Sequence, residues 1–420
     1  MLQRLTLGLV LLVAGAPLLP AGSDKAPRPY DWPQWQGPDR TAVSHERGLL
    51  KTWTKIGPSL VWQATGLGGG YSTPSIAGGR IFGISFRGKD EVVWALDEAT
   101  GKELWNTRIA EARPAEGKQA REGSRGTPTV DGDRLYALGE SGDLVCLSTA
   151  SGQRQWHKNP IEDFGGSEPR WGYSESPLID GDKLICTPGG SAATLAALDK
   201  KTGEPVWKAT VPGGDGPAYS SVIAGELAGQ RQYVQFVQHG MVGIAAEDGR
   251  FLWRYDAPAN RTANCSTPIF HDDCVFAASG YNTGGGLVAL TRRDSETKAE
   301  QVYFTKQMKN QHGGMVLVDG YLYGANDPGS LVCLDFKTGK VMWEDRRPGK
   351  GSVTFADGCL YYRNEGGPIV LIEASPKGYS ELCRFQQPKR SGQATWPHPV
   401  IANGKLYIRD QGLLLCYSLK

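Results

Sequence analysis

Ala95-Leu96-Asp97-Glu98-Ala99-Thr100-Gly101-Lys102-Glu103-Leu104-Trp105 is the stretch on which the fold turns. A short apolar run ends at an Asp, a Thr-Gly pair follows, and a large aromatic residue closes the segment. Locally this is a strand, a tight turn and a second strand. Gly101 supplies the positive φ the turn needs, and Asp97 can accept N–H bonds from it. Trp105 has more apolar area than its own hairpin can cover, so it reads as a contact to a neighbour.

Upstream stands Ser72-Thr73-Pro74-Ser75-Ile76-Ala77-Gly78-Gly79-Arg80-Ile81-Phe82, and the whole unit recurs along the chain. The second copy runs from Gly126-Thr127-Pro128 to Gly152 and Trp156. The third carries Ser176-Pro177, Ala197-Leu198-Asp199, Thr202-Gly203 and Trp207, and the fourth Ser220-Ser221, Asp248-Gly249 and Trp253. The fifth starts at Ser266-Thr267-Pro268 and lacks the Thr-Gly…Trp ending, with Ser295–Glu300 read as a solvated loop in its place. The sixth restores it with Leu334-Asp335, Thr338-Gly339-Lys340 and Trp343, and two degenerate copies begin near Ser352 and His398-Pro399. One aligned column holds Pro74, Pro128, Pro177, Ser221, Pro268, Met315, Val353 and Pro399, at spacings of 54, 49, 44, 47, 47, 38 and 46. A period in the forties with four short strands per unit predicts propeller blades. The last unit has only three strands, and its missing fourth lies at the other end of the chain, Ser59-Leu60-Val61-Trp62-Gln63. Pairing the two closes the ring and removes an open edge. The expectation is an all-β, eight-bladed β-propeller of four-stranded antiparallel blades over 59–420. Trp62, Trp105, Trp156, Trp207, Trp253 and Trp343 serve as docking residues between blades.

Composition agrees. The 420 residues include 56 Gly, about twice the ordinary share, as a turn-rich fold requires. The 46 basic and 44 acidic residues leave a formal charge of +2, with the signs interspersed. Without a basic stripe the chain does not read as a nucleic-acid binder. Residues 1–22 read as an export signal: Arg4, an apolar run from Leu5 to Val13, and small residues Ala14-Gly15-Ala16 or Ala21-Gly22 for cleavage. Gly15, Pro17 and Pro20 cut that run short of a membrane span. Residues 23–58 form a leader packing on the propeller, with Trp32-Pro33-Gln34-Trp35 as a surface staple. Arg108–Arg125 reads as a charged loop. Six of the eight cysteines fall at equivalent places in different repeats (Cys146, Cys333 and Cys416; Cys186, Cys274 and Cys359), which argues against pairing within either set, and the cysteines read as small buried hydrophobes. No Cys-x-x-Cys occurs and no two of the six His lie within four residues, so no zinc site is encoded.

Departure from the repeat marks the residues free to take on function. Three places before the Pro column stand Tyr71, Arg125, Ser174, Ala218, Cys265, His312, Lys350 and Trp396. Strand one lines the axis of a propeller, so these form a ring at the mouth of the channel. Trp171, Tyr173, Asn264, Asn310 and His398 lie nearby in sequence. Tyr71, Arg125, Trp171, Asn264, His312, Lys350 and Trp396 therefore compose a candidate pocket for an anionic or sugar-like ligand. Arg125 and His312 would be its donors, and Trp171 or Trp396 its stacking surface. The same residues also read as solvated loop positions around a water-filled channel.

The repeated Ala-Leu-Asp-x-x-Thr-Gly-Lys-x-x-Trp, from about Trp53 to Tyr417, resembles the tryptophan-docking repeats of pyrroloquinoline-quinone-type propellers. The leader Asp31-Trp32-Pro33-Gln34-Trp35-Gln36-Gly37-Pro38-Asp39-Arg40 resembles that of exported BamB-like proteins. That branch implies a non-catalytic, exported scaffold, periplasmic or extracellular, that binds an envelope protein or peptide as a soluble monomer. The lipid-bearing Cys of BamB itself has no counterpart near the cleavage region here. The dehydrogenase branch implies instead a quinone with Ca²⁺ held by Glu and Asn beneath a vicinal Cys-Cys, and the chain contains no Cys-Cys pair. Glu175, Asn264, Asn282 and Asp327 are the scattered oxygen donors that such a site would draw on. A quinone-dependent dehydrogenase, or another enzyme with its site at the funnel, is the alternative reading.

Overall fold

The computed structural model describes residues 28–113 and 123–420; the expected export signal lies outside them. Eight four-stranded antiparallel sheets follow one another along the chain. Blade 1 is built from Ser75–Ala77, Arg80–Arg87, Asp90–Asp97 and Glu103–Glu111. Blades 2 to 7 occupy 129–158, 178–209, 223–255, 269–305, 315–345 and 351–385. Blade 8 combines Val400–Ala402, Lys405–Asp410 and Leu413–Ser418 with Leu60–Ala64 from the other end of the chain. Trp62 pairs with Cys416 and Ala64 with Leu414, so the ring is closed as the repeat count requires. The one helix among the described residues, Pro160–Phe164, sits between blades 2 and 3.

The core lies between blades. Eight apolar clusters each join two neighbouring blades: Phe82 and Val93 with Leu135 and Val145, for example, or Leu178 and Leu195 with Tyr233 and Ile244. Strands two and three are buried on both faces, so they read as nearly continuous apolar runs.

The docking residue is the hinge of this packing. Strands three and four of every blade carry a one-residue β-bulge just before it, as between Ala95 and Leu96 opposite Trp105. A bulge re-aims the side chains that follow it. The indoles of Trp62, Trp105, Trp156 and Trp207 then lie on the turn glycine of the next blade. A Cβ on Gly152 (φ +72°) would stand 2.5 Å from the Trp105 ring, and one on Gly101 (φ +70°) 2.5 Å from Trp62. The indole N–H donates to a carbonyl of the same turn: Trp62 to Glu98 at 3.1 Å, Trp105 to Thr149 at 3.0 Å, Trp156 to Lys200 at 3.1 Å. Trp343 donates to Ser375 at 2.8 Å. Trp207 keeps the stacking on Gly249, but the equivalent carbonyl, Ala246, accepts Lys183 Nζ instead.

Three expectations are corrected here. Trp253 has no Thr-Gly turn to meet on blade 5; it lies over Gly243, donates to Gln232 within its own blade at 2.8 Å, and belongs to the apolar cluster that blade 4 shares with blade 5. Blade 5 also has no solvated loop at 295–300. Gly284–Arg293 and Glu296–Thr305 form one long hairpin, and Tyr303 takes the docking place, donating its hydroxyl to Phe336 O at 2.9 Å. Arg108 stands in strand four of blade 1 rather than in a loop.

The leader is no surface staple. It spans the channel and touches all eight blades. Trp32 bridges Ile76 with two 2.8 Å backbone bonds, and Pro33 O accepts from Val130 N. The Arg40 guanidinium donates to Val222 O at 2.8 Å, to Ser176 O at 3.1 Å and to Pro177 O, clamping blades 3 and 4. Trp35 and Gln36 bond Thr267 and Gly313, ahead of blades 5 and 6. Val43–Ser44 adds a parallel fifth strand to blade 7, and the Glu46 carboxylate accepts from Gly404 N in blade 8. Burial lowers the Arg40 guanidinium to about 9, with the buried carboxyl of Glu175 opposing that shift, so Arg40 stays charged at neutral pH.

The docking geometry predicts a contrast between two left-handed turn glycines. Gly132→Ala, at φ +59° with open space around it, should cost only the ~1–2 kcal/mol of a left-handed Ala. Gly152→Ala also pushes into the Trp105 ring and should cost about 1–3 kcal/mol more. Urea denaturation checks this, and equal losses would rule out the close ring contact as a stabilising element.

Candidate functional site

At the entry ends of strands one, opposite the leader, the channel opens into a cavity of ≈ 470 Å³. Its size falls in the range of about 300–1,000 Å³ usual for small-molecule pockets. The ring positions reach it because the residue pair before each strand one is fixed between blades. Hydroxyls there accept the backbone N–H of the preceding blade: Ser176 Oγ from Thr127 N at 2.8 Å, Ser221 Oγ from Ser176 N at 2.9 Å, Thr73 Oγ1 from His398 N at 3.0 Å. Side chains one to three places earlier are thereby aimed at the axis.

Five of the seven expected pocket residues line the cavity: Tyr71, Arg125, Trp171, His312 and Trp396. Tyr71 and Trp396 form a tilted pair with ring centres 4.6 Å apart, and Trp171 pairs with Tyr219 at 5.6 Å. The Arg125 guanidinium lies 6.0 Å from the centre of the Tyr71 ring and donates to Glu140 Oε1 at 3.1 Å and to Trp171 O at 2.7 Å. Glu140 is buried behind it, and burial raises its carboxyl above the usual range although Arg125 opposes the shift. Glu140 N and Ser124 Oγ in turn donate to Glu91, whose burial pushes its carboxyl up to about 7.

On the other flank Glu365 gathers three partners. His312 Nε2 stands 3.6 Å from its carboxylate, Trp396 Nε1 donates to it at 2.9 Å, and Lys350 Nζ lies 3.9 Å away. His312 is the largest cause holding this carboxyl down at about 2.

Two expected residues are not in the wall, and their pocket role is corrected. Asn264 is buried and fully used by backbone: its amide donates to Val237 O and Gln238 O, and its oxygen accepts from Asn260 N. Lys350 sits behind the wall, where it donates to Gln311 and faces Asp327 at 3.5 Å. Conversely Trp35, Tyr219, Tyr281, Gln311 and His398 do line the cavity. Gln311 and Tyr219 adjoin the ring column, so a window of one residue on either side would have included them. Trp35 had no such signal, because only the path of the leader brings it to the floor. There its ring centre is 4.6 Å from that of His398.

The groups present favour holding a ligand over attacking one. Burial pushes the Cys265 thiol up to about 12, leaving it protonated. Burial likewise pulls His398 down to about 4, and its Nε2 bonds His312 O at 3.1 Å. Among the described residues no cavity imidazole hydrogen-bonds a serine or the thiol. The lining includes no Asp or Glu, so the Ca²⁺ implied by the dehydrogenase resemblance has no carboxylate there. Cys265 also has no cysteine beside it. These residues do not fit a quinone–Ca²⁺ pair.

A depressed imidazole has a definite sign. Below pH 6.5 the unfolded chain takes up a proton that folded His398 refuses until about pH 4. Its contribution to stability is therefore lost as pH falls across that window, by roughly 2–3 kcal/mol. Glu91 and Glu175, each pushed up to about 7, act in the opposite direction as pH rises from their unfolded values. The measurable quantity is the difference: His398→Gln should flatten the acid side of the stability curve between pH 4 and 6.5, read by urea denaturation at each pH. An unchanged curve would mean that His398 is charged in the fold.

The family model described as outer membrane protein assembly factor BamB matches residues 37–171 and 89–345. The outer membrane protein assembly factor BamB of Yersinia pestis is 23% identical over 388 residues, covering 86% of this chain and 88% of its own. Among solved structures, BamB from Moraxella catarrhalis superposes with a TM-score of 0.57 at 15% identity, over 86% of this chain and 98% of its own. The quinohemoprotein alcohol dehydrogenase of Comamonas testosteroni gives 0.68 at 14% identity, over 95% and 82%. At such identities the structural likeness speaks for the eight-bladed fold, whereas the family model spans most of the chain. With the docking repeats and the leader in place, the chain belongs to the family described as outer membrane protein assembly factor BamB.

Proposed function

We propose that the chain is an exported, non-catalytic scaffold of the cell envelope that holds another envelope protein on its rim. The observation carrying this reading is a set of exposed apolar side chains on the outer strands of blades 7 and 8 and on the segment leading into blade 8. Trp53 packs on Phe385 of blade 7 with ring centres 5.5 Å apart, and a Cβ on Gly57 would stand 2.6 Å from that same ring. The segment is thereby pinned to the outer strand of blade 7. It brings Ile56 (84% exposed), Leu60 (45%) and Val61 (48%) to the rim that also carries Leu382 (41%). Apolar side chains left exposed on two neighbouring outer strands suit a contact surface. Val61 and Leu382 are also the bulged residues of their strands. A bulge interrupts the edge and guards against strand addition, so a partner engages through side chains.

The likeness to assembly factors over nearly the full length of both chains supports the same reading. No helix among the described residues is long and apolar enough to cross a membrane. The alternative of a quinone-dependent dehydrogenase meets a cavity wall without carboxylates. A small molecule on the axis is compatible with the scaffold.

Pull-down from solubilised envelopes separates these readings. Wild type should capture a defined partner, which an Ile56→Lys, Val61→Lys double variant loses at unchanged melting temperature and a Trp171→Ala variant retains. No specific capture by wild type, or capture unaffected by the rim variant, would overturn the proposal.

A further inference from the structure

Two aromatic pairs enter the axial cavity from different blades, Tyr71 with Trp396 ahead of blades 1 and 8, and Trp171 with Tyr219 ahead of blades 3 and 4. Each pair is tilted, at 40° and 45°, so the rings do not cover one another's faces. The charge in the wall and the one behind it are already compensated, while the exposed Arg170 guanidinium lies 5.1 Å from the centre of the Trp171 ring. Arg125 is held by Glu140, and behind the wall Lys350 is held by Asp327 and Glu365. An anion would have to share the Arg125 guanidinium with Glu140. A cation would meet the Arg125 guanidinium above the Tyr71 face. The occupant that suits the cavity is uncharged.

It also has a polar edge. His398, buried in the wall, has an Nδ1 without a hydrogen-bond partner in the protein. His312 Nδ1 has none either, its Nε2 facing Glu365 at 3.6 Å, and Ser174 Oγ is likewise unbonded. Buried polar atoms of this sort are normally satisfied by water or a ligand. A molecule with apolar C–H faces and a rim of hydroxyl groups matches both features.

We propose that the axial cavity binds a neutral saccharide of one or two pyranose rings. The ring faces lie against Trp171 and Trp396, and the hydroxyls exchange hydrogen bonds with His398, His312 and Gln311. Trp35, carried in by the leader and bonded to Thr267, forms the floor that limits depth. The site is independent of the rim patch.

Tryptophan fluorescence and thermal-shift titrations of the purified chain test this. The probes are glucose, N-acetylglucosamine, maltose and cellobiose, with glucuronate and choline as charged comparisons. At least one neutral sugar should saturate with a millimolar or tighter dissociation constant. Trp171→Ala should weaken that binding tenfold or more at unchanged melting temperature, because the Arg125 contact uses the Trp171 carbonyl and not its ring. Tyr219→Leu, on the same side, should act in the same direction. The Ile56→Lys, Val61→Lys variant should bind the sugar normally, so loss of the partner and loss of the sugar are read separately. No saturable response to any of the four sugars would overturn the proposal. So would tighter binding of glucuronate or choline, or binding unaffected by Trp171→Ala.

Discussion

The structure depends on one contact made repeatedly around a ring: an aromatic side chain laid on the bare Cα of a left-handed glycine in the next blade. The contact needs three things together. A bulge must turn the ring sideways, a glycine must stand where a Cβ would collide, and a carbonyl must meet the indole N–H. Trp105 on Gly152, donating to Thr149 O, shows all three. Each blade is a sheet with two apolar faces and cannot exist alone, so stability is distributed over eight inter-blade clusters. Where the motif lapses, the packing is kept by other means. Tyr303 replaces the missing Trp in blade 5, and Trp253, deprived of its turn, folds back over Gly243.

A ring of repeated contacts still leaves an open axis, and the leader closes it. Arg40 shows how much the fold invests there: a guanidinium buried among backbone carbonyls of blades 3 and 4, with the Glu175 carboxyl opposing the fall in its pKa. Backbone acceptors and a nearby buried carboxyl are what make such burial tolerable. The consequence is functional, since a through-channel becomes a cup. Trp35 is the shared element, bonded to Thr267 on one side and stacked beside His398 on the other.

Blade number, strand order, the closing strand 60–64 and five of the docking tryptophans with a partner in the next blade could all be read from the repeat, because they express backbone requirements that recur at a fixed interval. Five of the seven proposed pocket residues also reach the cavity, because strand one places its entry residues at the axis in every blade. Asn264 and Lys350 fail for a reason the column cannot encode. Their polar groups are consumed locally, one by the backbone of 237–238 and the other by Asp327 and Glu365. The leader misled for the opposite reason. Its Trp-Pro-Gln-Trp has no period, so nothing local distinguishes a strap on the outside from a plug in the channel.

The repeat alone dictates the ring: how many blades, where they join and most of the residues that lock them, since each lock is a short-range pattern of glycine, turn and aromatic side chain. Only the tertiary structure decided what the ring encloses. The cup, its charge balance and its unpaired histidine nitrogens arise where residues from the leader and most of the blades converge on one axis. The rim patch likewise exists only because Trp53 and Gly57 pack on a ring more than three hundred positions away. Such meetings are fixed by closure of the whole toroid, and no local pattern in the chain records them.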